Sequence, residues 1–360
     1  MNDKNNIKKS ALTLLFVLFV GGVGGVLMDR VVLPYLASFR MFKNVAVLNP
    51  QAPLVITRRE EVRITEGINN AEVINKIRPA LAVVYVHEGD FGSKKFKLIS
   101  QLNAVIITSD GVLAAPIVNL RQGQKLTAIL SGLQTKEAEL VANDALTGVS
   151  YLKIAVKDLP VAQPGFSQEL SVGDRLLAIK LTENSQDPFM IPATVTKKFS
   201  ASGSLDKVYD FSRLNNFLQI EPNLSSADLG SVAANKDGLV VGLAVQIGEE
   251  IVVLRSEDFK LSINNFLDDQ KIVWPALKLS YQIFEESQTK LFNIPKKYGI
   301  LVKQAVAPLH EADFMYAVND KELSPQESLQ DILLAKKPGE RIRFKLLRNA
   351  QELVVEIVLQ

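Results

Sequence analysis

Residues 219–245 read QIEPNLSSADLGSVAANKDGLVVGLAV, in which the turn pair Asp237-Gly238 opens the apolar run LVVGLAV. A short apolar run bounded by turn residues reads as a buried strand, because it is too short for a helix and its flanks reverse the chain. The pattern recurs upstream and downstream: VIIT ahead of Asp110-Gly111, LTAIL ahead of Ser131-Gly132, then LLAIKL at 176–181 and IVVL at 251–254. Helical periodicity is scarce between Leu81 and Asn265 apart from SINNF at 262–266, and no repeat of 20–50 residues is visible. This predicts one all-β domain, a sandwich or a barrel.

Toward the N-terminus, Asn70 can cap a short helix through Ile77, with Val73, Ile74 and Ile77 on one face and Pro79 ending it before a strand at 81–86. The stretch 49–70 is punctuated by prolines and reads as a linker; 31–42 (VVLPYLASFRMF) reads as a short interfacial segment. Ahead of both, ALTLLFVLFVGGVGGVLM at 11–28 is uncharged over 18 residues, or about 27 Å of helix, enough for a bilayer core. Lys4, Lys8 and Lys9 precede it, whereas Asp29, Arg30 and Arg40 follow, which predicts a retained single-pass anchor with residues 1–10 in the cytoplasm and the rest outside. Gly21 and Gly25 form a G-x-x-x-G pair, weak by itself.

Toward the C-terminus the order changes: strands LKLSYQIF, GILVKQAV and FMYAVND, a helix SPQESLQDILLAKK capped by Ser324 with Pro325 at its first position, then the hairpin RIRFKLLRN and ELVVEIVLQ. That is a separate α+β domain. A 360-residue chain at roughly 150 residues per domain has room for both.

Composition narrows the chemistry. With 47% apolar and 22% charged residues the chain folds, and 41 Lys plus Arg against 39 Asp plus Glu give no electrostatic reason to expect nucleic acid. Zero Cys excludes disulfides, thiolate zinc sites, Fe–S clusters and Cys nucleophiles. Only His87 and His310 carry imidazoles, and neither has a partner at metal-ligand spacing, so neither a metal nor a cofactor is expected.

The order of parts resembles the membrane-anchored HtrA/DegS family of serine proteases. VIITSDGVLAAPIVN (105–119) is similar to that family's approach to its histidine, NDALTGVSYLKI (143–154) to the stretch holding its aspartate, and 219–245 to the stretch holding its serine. PLHEADFMYAVNDKEL (308–323) and PGERIRFKLLRNAQE (338–352) resemble parts of its PDZ domain. The resemblance implies a mainly β chain: a chymotrypsin-like double antiparallel β-barrel over 71–268 and a small α+β PDZ-like domain over 269–360, after the anchor (11–28) and a juxtamembrane linker (29–70).

It also places the family's histidine on Val118, its aspartate on Gly148 and its serine on Leu229, and its oxyanion loop on Ala227-Asp228-Leu229. None of these side chains can activate or be a serine nucleophile. The expectation is therefore a catalytically inactive protein, not an enzyme, that binds other proteins or peptides in quality control and assembles with itself or with active relatives. The alternative is an active serine endopeptidase using Ser231, Ser226 or Ser225 with His87, the last read as a surface-loop histidine; His310 reads as solvated. The PDZ carboxylate loop falls on Leu277, Lys278 and Leu279, with Lys278 in place of a glycine, which predicts weak binding of C-terminal tails.

Overall fold

The computed structural model describes residues 3–32, 35, 69–90, 93–132, 134–182, 187–198, 201, 203–269 and 271–360. The chain divides into two units, residues 1–66 and 67–360. In the first, helix α1 (Asp3–Leu27) runs into a π-helical turn, Met28–Val32. Its stretch Leu12–Val32 is long and apolar enough to cross a membrane. Most of the expected interfacial segment and linker lies outside the described residues.

The second unit opens with α2 (Asn70–Ile77), capped by Asn69 rather than Asn70: the Asn69 side chain accepts from Glu72 N at 3.5 Å. Val73 and Ile77 are buried, and Pro79 sits in the 3-10 turn that feeds the first strand. Six antiparallel strands then close a barrel in the order β1-β2-β3-β6-β5-β4. They are β1 (Leu81–Glu88), β2 (Lys97–Ile106), β3 (Val112–Pro116), β4 (Gln124–Leu130), β5 (Thr135–Asp144) and β6 (Val149–Ile154). Ala82, Val84 and Val86 point into this barrel; Leu81 and Val83, on the other face of β1, join the larger core shared with the second sheet. Burial on both faces is why the strand reads as a continuous apolar run.

The second sheet has the order β10-β8-β7-β11-β12-β13. It is built from β7 (Arg175–Leu181), β8 (Pro188–Lys197), β10 (Gln219–Glu221), β11 (Val232–Ala234), β12 (Val240–Ile247) and β13 (Glu250–Arg255). Its edges meet through a bridge between Leu218 and Val253, so this sheet also curls into a barrel. Between β8 and β10 the chain leaves it to form β9 (Tyr209–Asp210). Helix α3 (Ser256–Asp269) follows.

The remaining elements are β14 (Leu279–Phe284), α4 (Glu286–Leu291), β15 (Gly299–Ala305), β16 (Phe314–Val318), β17 (Lys321–Glu322), α5 (Leu329–Leu334), β18 (Arg341–Arg348) and β19 (Gln351–Val358). Their sheet runs β19-β18-β16-β15-β14 and then takes β9 as its last strand. Helix α5 is shorter than expected. Ser324 accepts from Glu327 N and caps a turn, whereas Ser328 and Asp331 form a reciprocal capping box at the true start. The molecule is thus mainly β, with two barrel-like sheets as in the chymotrypsin fold, a small α+β part and one N-terminal apolar helix.

Candidate active-site cleft

Val118 and Gly148 lie side by side. Ile117 N donates to Gly148 O at 3.0 Å, and Val118 N to Ser150 Oγ at 2.7 Å. Val118 is buried in the core of the first barrel. Gly148 holds φ +72° against the second sheet, where an added Cβ would come within 2.7 Å of the Gln246 carbonyl. Two residues back along the same strand, Ala244 O accepts from Gly230 N at 2.8 Å, which sets Leu229 in the same region, about 7 Å along the strand. Gly230 in turn presses on the first barrel: a Cβ there would fall 2.0 Å from Asn103 O. Positions 118 and 148 are thus neighbours through backbone bonds, and positions 148 and 229 both lie against β12, two residues apart along it.

The loop before Leu229 is fastened from within. Ser226–Asp228 form a 3-10 turn, capped by reciprocal bonds between Ser225 and Asp228. Leu229 N donates back to Ser226 O at 3.5 Å and Ser231 N to Asp228 O at 3.0 Å. These donors serve the turn, so they do not converge on an incoming oxyanion. Lys180, on β7, reaches over to Asp228 Oδ1 at 2.7 Å and to Ala227 O at 2.6 Å. Burial acts to raise the Asp228 carboxyl, but hydrogen bonds from Lys180 and Ser225 outweigh it and hold the group below the usual carboxylate range. Such a carboxylate is a poor base for the Ser225 hydroxyl, which it accepts at 2.6 Å.

The alternative pairing of His87 with a serine is not formed. His87 is 2% exposed, not a surface-loop residue: Nε2 bonds Thr127 Oγ1 at 2.9 Å, Nδ1 bonds Gly89 O at 2.9 Å, and Phe96 packs over the ring. The alternation of β1 hides it on the outer face of the barrel, where Thr127 of the neighbouring strand also lies. The level of Gly230 is that of Asn103, whose partner is Val83, so His87 stands four residues, about 13 Å, further along the strand. Ser231 is 1% exposed with an unpartnered hydroxyl, while Ser225 and Ser226 are exposed. His310 is exposed, as expected.

Leu277, Lys278 and Leu279 border a cavity of about 490 Å³ together with Trp274, Phe211 and Leu334. Lys278 points to solvent, and among the described residues the non-glycine positions with positive φ do not include it. Its replacement of a glycine therefore imposes no backbone strain here.

A trypsin-like peptidase domain model matches residues 98–243. Among curated proteins, the chain is 25% identical over 261 residues to "Probable periplasmic serine endoprotease DegP-like" of Chlamydia muridarum (strain MoPn / Nigg), covering 67% of this chain and 48% of that protein. The protein of the same name in Pseudomonas putida (strain GB-1) is 25% identical over 281 residues, with 74% and 57% covered. The chain thus spans about half the length of the curated relatives it matches. Among solved structures, "HtrA-type protease AlgW with tripeptide" superposes with a TM-score of 0.61 at 17% identity, covering 80% of this chain and 96% of the other; the same protease with decapeptide gives 0.59 at 16%, covering 80% and 97%.

These names correct one expectation. Reading the chain as not an enzyme does not stand against relatives named serine endoproteases and neighbours named HtrA-type proteases. The physical reason is that valine, glycine and leucine at three positions remove one route, a serine activated by an oriented imidazole, and say nothing of any other. The peptidase-domain match, the DegP-like relatives and the shared double-barrel fold agree with the order of motifs along the sequence, and together they support a place for this chain in the HtrA family.

Proposed function

We propose that this chain is a membrane-anchored member of the HtrA family that binds polypeptides outside the cytoplasmic membrane, in the service of protein quality control, with Val118, Gly148 and Leu229 at the positions of the family's triad. The apolar stretch Leu12–Val32 supports the anchor, and Lys4, Lys8 and Lys9 ahead of it support a cytoplasmic N-terminus. The periplasmic naming of the DegP-like relatives points the same way.

The observation that carries the binding function is the fastened loop 225–231, in which the N–H groups of Ser225, Asp228, Leu229 and Ser231 bond within the loop and the Asp228 carboxylate is held by Ser225 and Lys180. Around it the framework is retained: both barrels and the small α+β domain. Solved neighbours named with bound peptides support polypeptide as the class of ligand.

The test uses the full chain in lipid nanodiscs and fluorescein-labelled unfolded casein. Saturable binding is expected, unchanged in a Val118→Ala, Leu229→Ala variant. Gel analysis of the same samples reads cleavage directly. Casein anisotropy no higher than with empty nanodiscs would refute the assignment.

A further inference from the structure

Strand β14 would be the exposed edge of the small domain's sheet if the chain did not cover it with a piece of the second barrel. β9 pairs antiparallel with it, Tyr209 opposite Tyr281 and Asp210 opposite Ser280, and Phe211 N continues the ladder to Leu279 O at 3.0 Å. The contact extends along the whole strand: Gln282 Nε2 donates to Leu205 O at 2.5 Å, Gly203 N donates to Glu285 at 2.8 Å, and Gln288 donates to Gly203 O at 3.2 Å. Helix α5 closes the other side. The Gln330 amide donates to Phe211 O at 3.1 Å and Arg213 O at 2.8 Å, and its oxygen accepts from Asn215 N at 3.2 Å. Gln330 is 1% exposed and Phe211 2% exposed, the phenyl ring lying in a core with Leu279, Leu329 and Leu333.

An extended segment laid along a sheet edge, held by backbone bonds and anchored by one buried aromatic side chain, has the geometry of a bound peptide. It differs only in being covalently part of the host. A tethered ligand competes at an effective concentration on the order of millimolar, so a free peptide of similar intrinsic affinity is excluded until the tether lets go. We propose that residues 203–213 are an intramolecular ligand of the groove between β14 and α5, with Phe211 as its anchor. An extended polypeptide with a large apolar residue at the anchor position binds the groove only by displacing them. This rests on the polypeptide-binding function above and specifies where, and under what restraint, one such ligand docks.

The cysteine-free sequence makes the test clean. Asp210→Cys with Ser280→Cys sets two thiols on directly opposed residues, within the span of a disulfide. The probe is the fluorescein-labelled peptide GSLDKVYDF, the chain's own residues 203–211, added to the full chain in nanodiscs. Binding is expected to be undetectable in the oxidised double variant, to return to the wild-type level on reduction, and to be at least tenfold tighter in Phe211→Ala. The same peptide ending in alanine should bind at least tenfold more weakly. Equal affinity of the oxidised and reduced proteins would overturn the proposal, and that arm does not depend on Phe211→Ala folding. Casein binding, scored in parallel, fails only if the wider function fails.

Discussion

Trp274 Nε1 donates to Asp144 Oδ1 across 2.9 Å, joining the connector ahead of the small domain to the end of β5 in the first barrel. Asp144 is 1% exposed and also accepts from Leu146 N at 3.0 Å, Thr147 N at 3.3 Å and Ser262 Oγ of α3. One carboxylate thus fastens a barrel, a helix and a connector.

Asp144→Ala should therefore cost about 3–5 kcal/mol, since each buried donor left without an acceptor costs roughly 1–3 kcal/mol and the losses overlap. Trp274→Phe, which removes one donor and keeps most of the packing, should cost about 1–2 kcal/mol. Urea unfolding followed by far-ultraviolet circular dichroism measures both. Equal costs would show that the carboxylate is not the fastening point.

Acid should weaken the small domain through Asp313. This carboxylate is fully buried, takes bonds from Arg348 Nε at 2.7 Å and Nη2 at 2.8 Å, and accepts from His310 N at 2.8 Å. Burial acts to raise its carboxyl, but the Arg348 bonds outweigh it and hold the group below the ordinary range. The folded value lies below the unfolded one, so the stabilisation is present above roughly pH 4 and is lost as pH falls through the folded value. Asp313→Asn should be less stable at pH 7 and should flatten this acid limb. Parallel melting-temperature profiles for the two proteins below pH 5 would exclude Asp313 as the cause.

What could be read from the sequence was local. Gly111 holds φ +100° and Gly238 φ +76°, and the two Asp-Gly turns that place the strands around them announce themselves within two residues. Ser324-Pro-Gln-Glu327 and Ser328-Leu-Gln-Asp331 are equally good capping boxes on paper. Burial of Leu329, Ile332 and Leu333 decides for the second, and that is a tertiary fact. Helix α4 is not legible in the sequence although Glu285 and Gln288 form a capping box, because six residues carry too little periodicity. At the site, the residue types at 118, 148 and 229 followed from the motifs. The pair Lys180–Asp228 did not, since 48 positions separate its members, and nothing in Tyr209-Asp210 says which sheet they join.

Ser231 should prove dispensable. Its hydroxyl is buried without a hydrogen-bond partner, which costs about 1–3 kcal/mol relative to an apolar group of similar shape. Ser231→Ala is expected to leave stability unchanged or raise it by about 1 kcal/mol, and to leave any fluorophosphonate labelling of the protein unaltered. His87→Ala should likewise not change labelling, because that imidazole is committed to Thr127 and Gly89. Loss of labelling in either variant would place the nucleophile or its base where this geometry does not.

Restoring the family's three side chains should not restore its mechanism. Val118→His puts a polar ring into the barrel core, where Val118 is 3% exposed. Gly148→Asp must adopt φ +72° with its Cβ 2.7 Å from the Gln246 carbonyl, so the carboxylate cannot be set down without moving β12. Leu229→Ser supplies a hydroxyl, but its own N–H still points back to Ser226 O, and Lys180 still holds Asp228 in the loop. A serine without an oxyanion hole forgoes about 3–4 kcal/mol of transition-state stabilisation for each missing donor. The triple variant is therefore expected to melt at a lower temperature than the parent and to hydrolyse casein no faster. A rise in turnover in the triple variant alone, absent from each single substitution, would mean that the cleft is preorganised for the reaction and that only the side chains were exchanged.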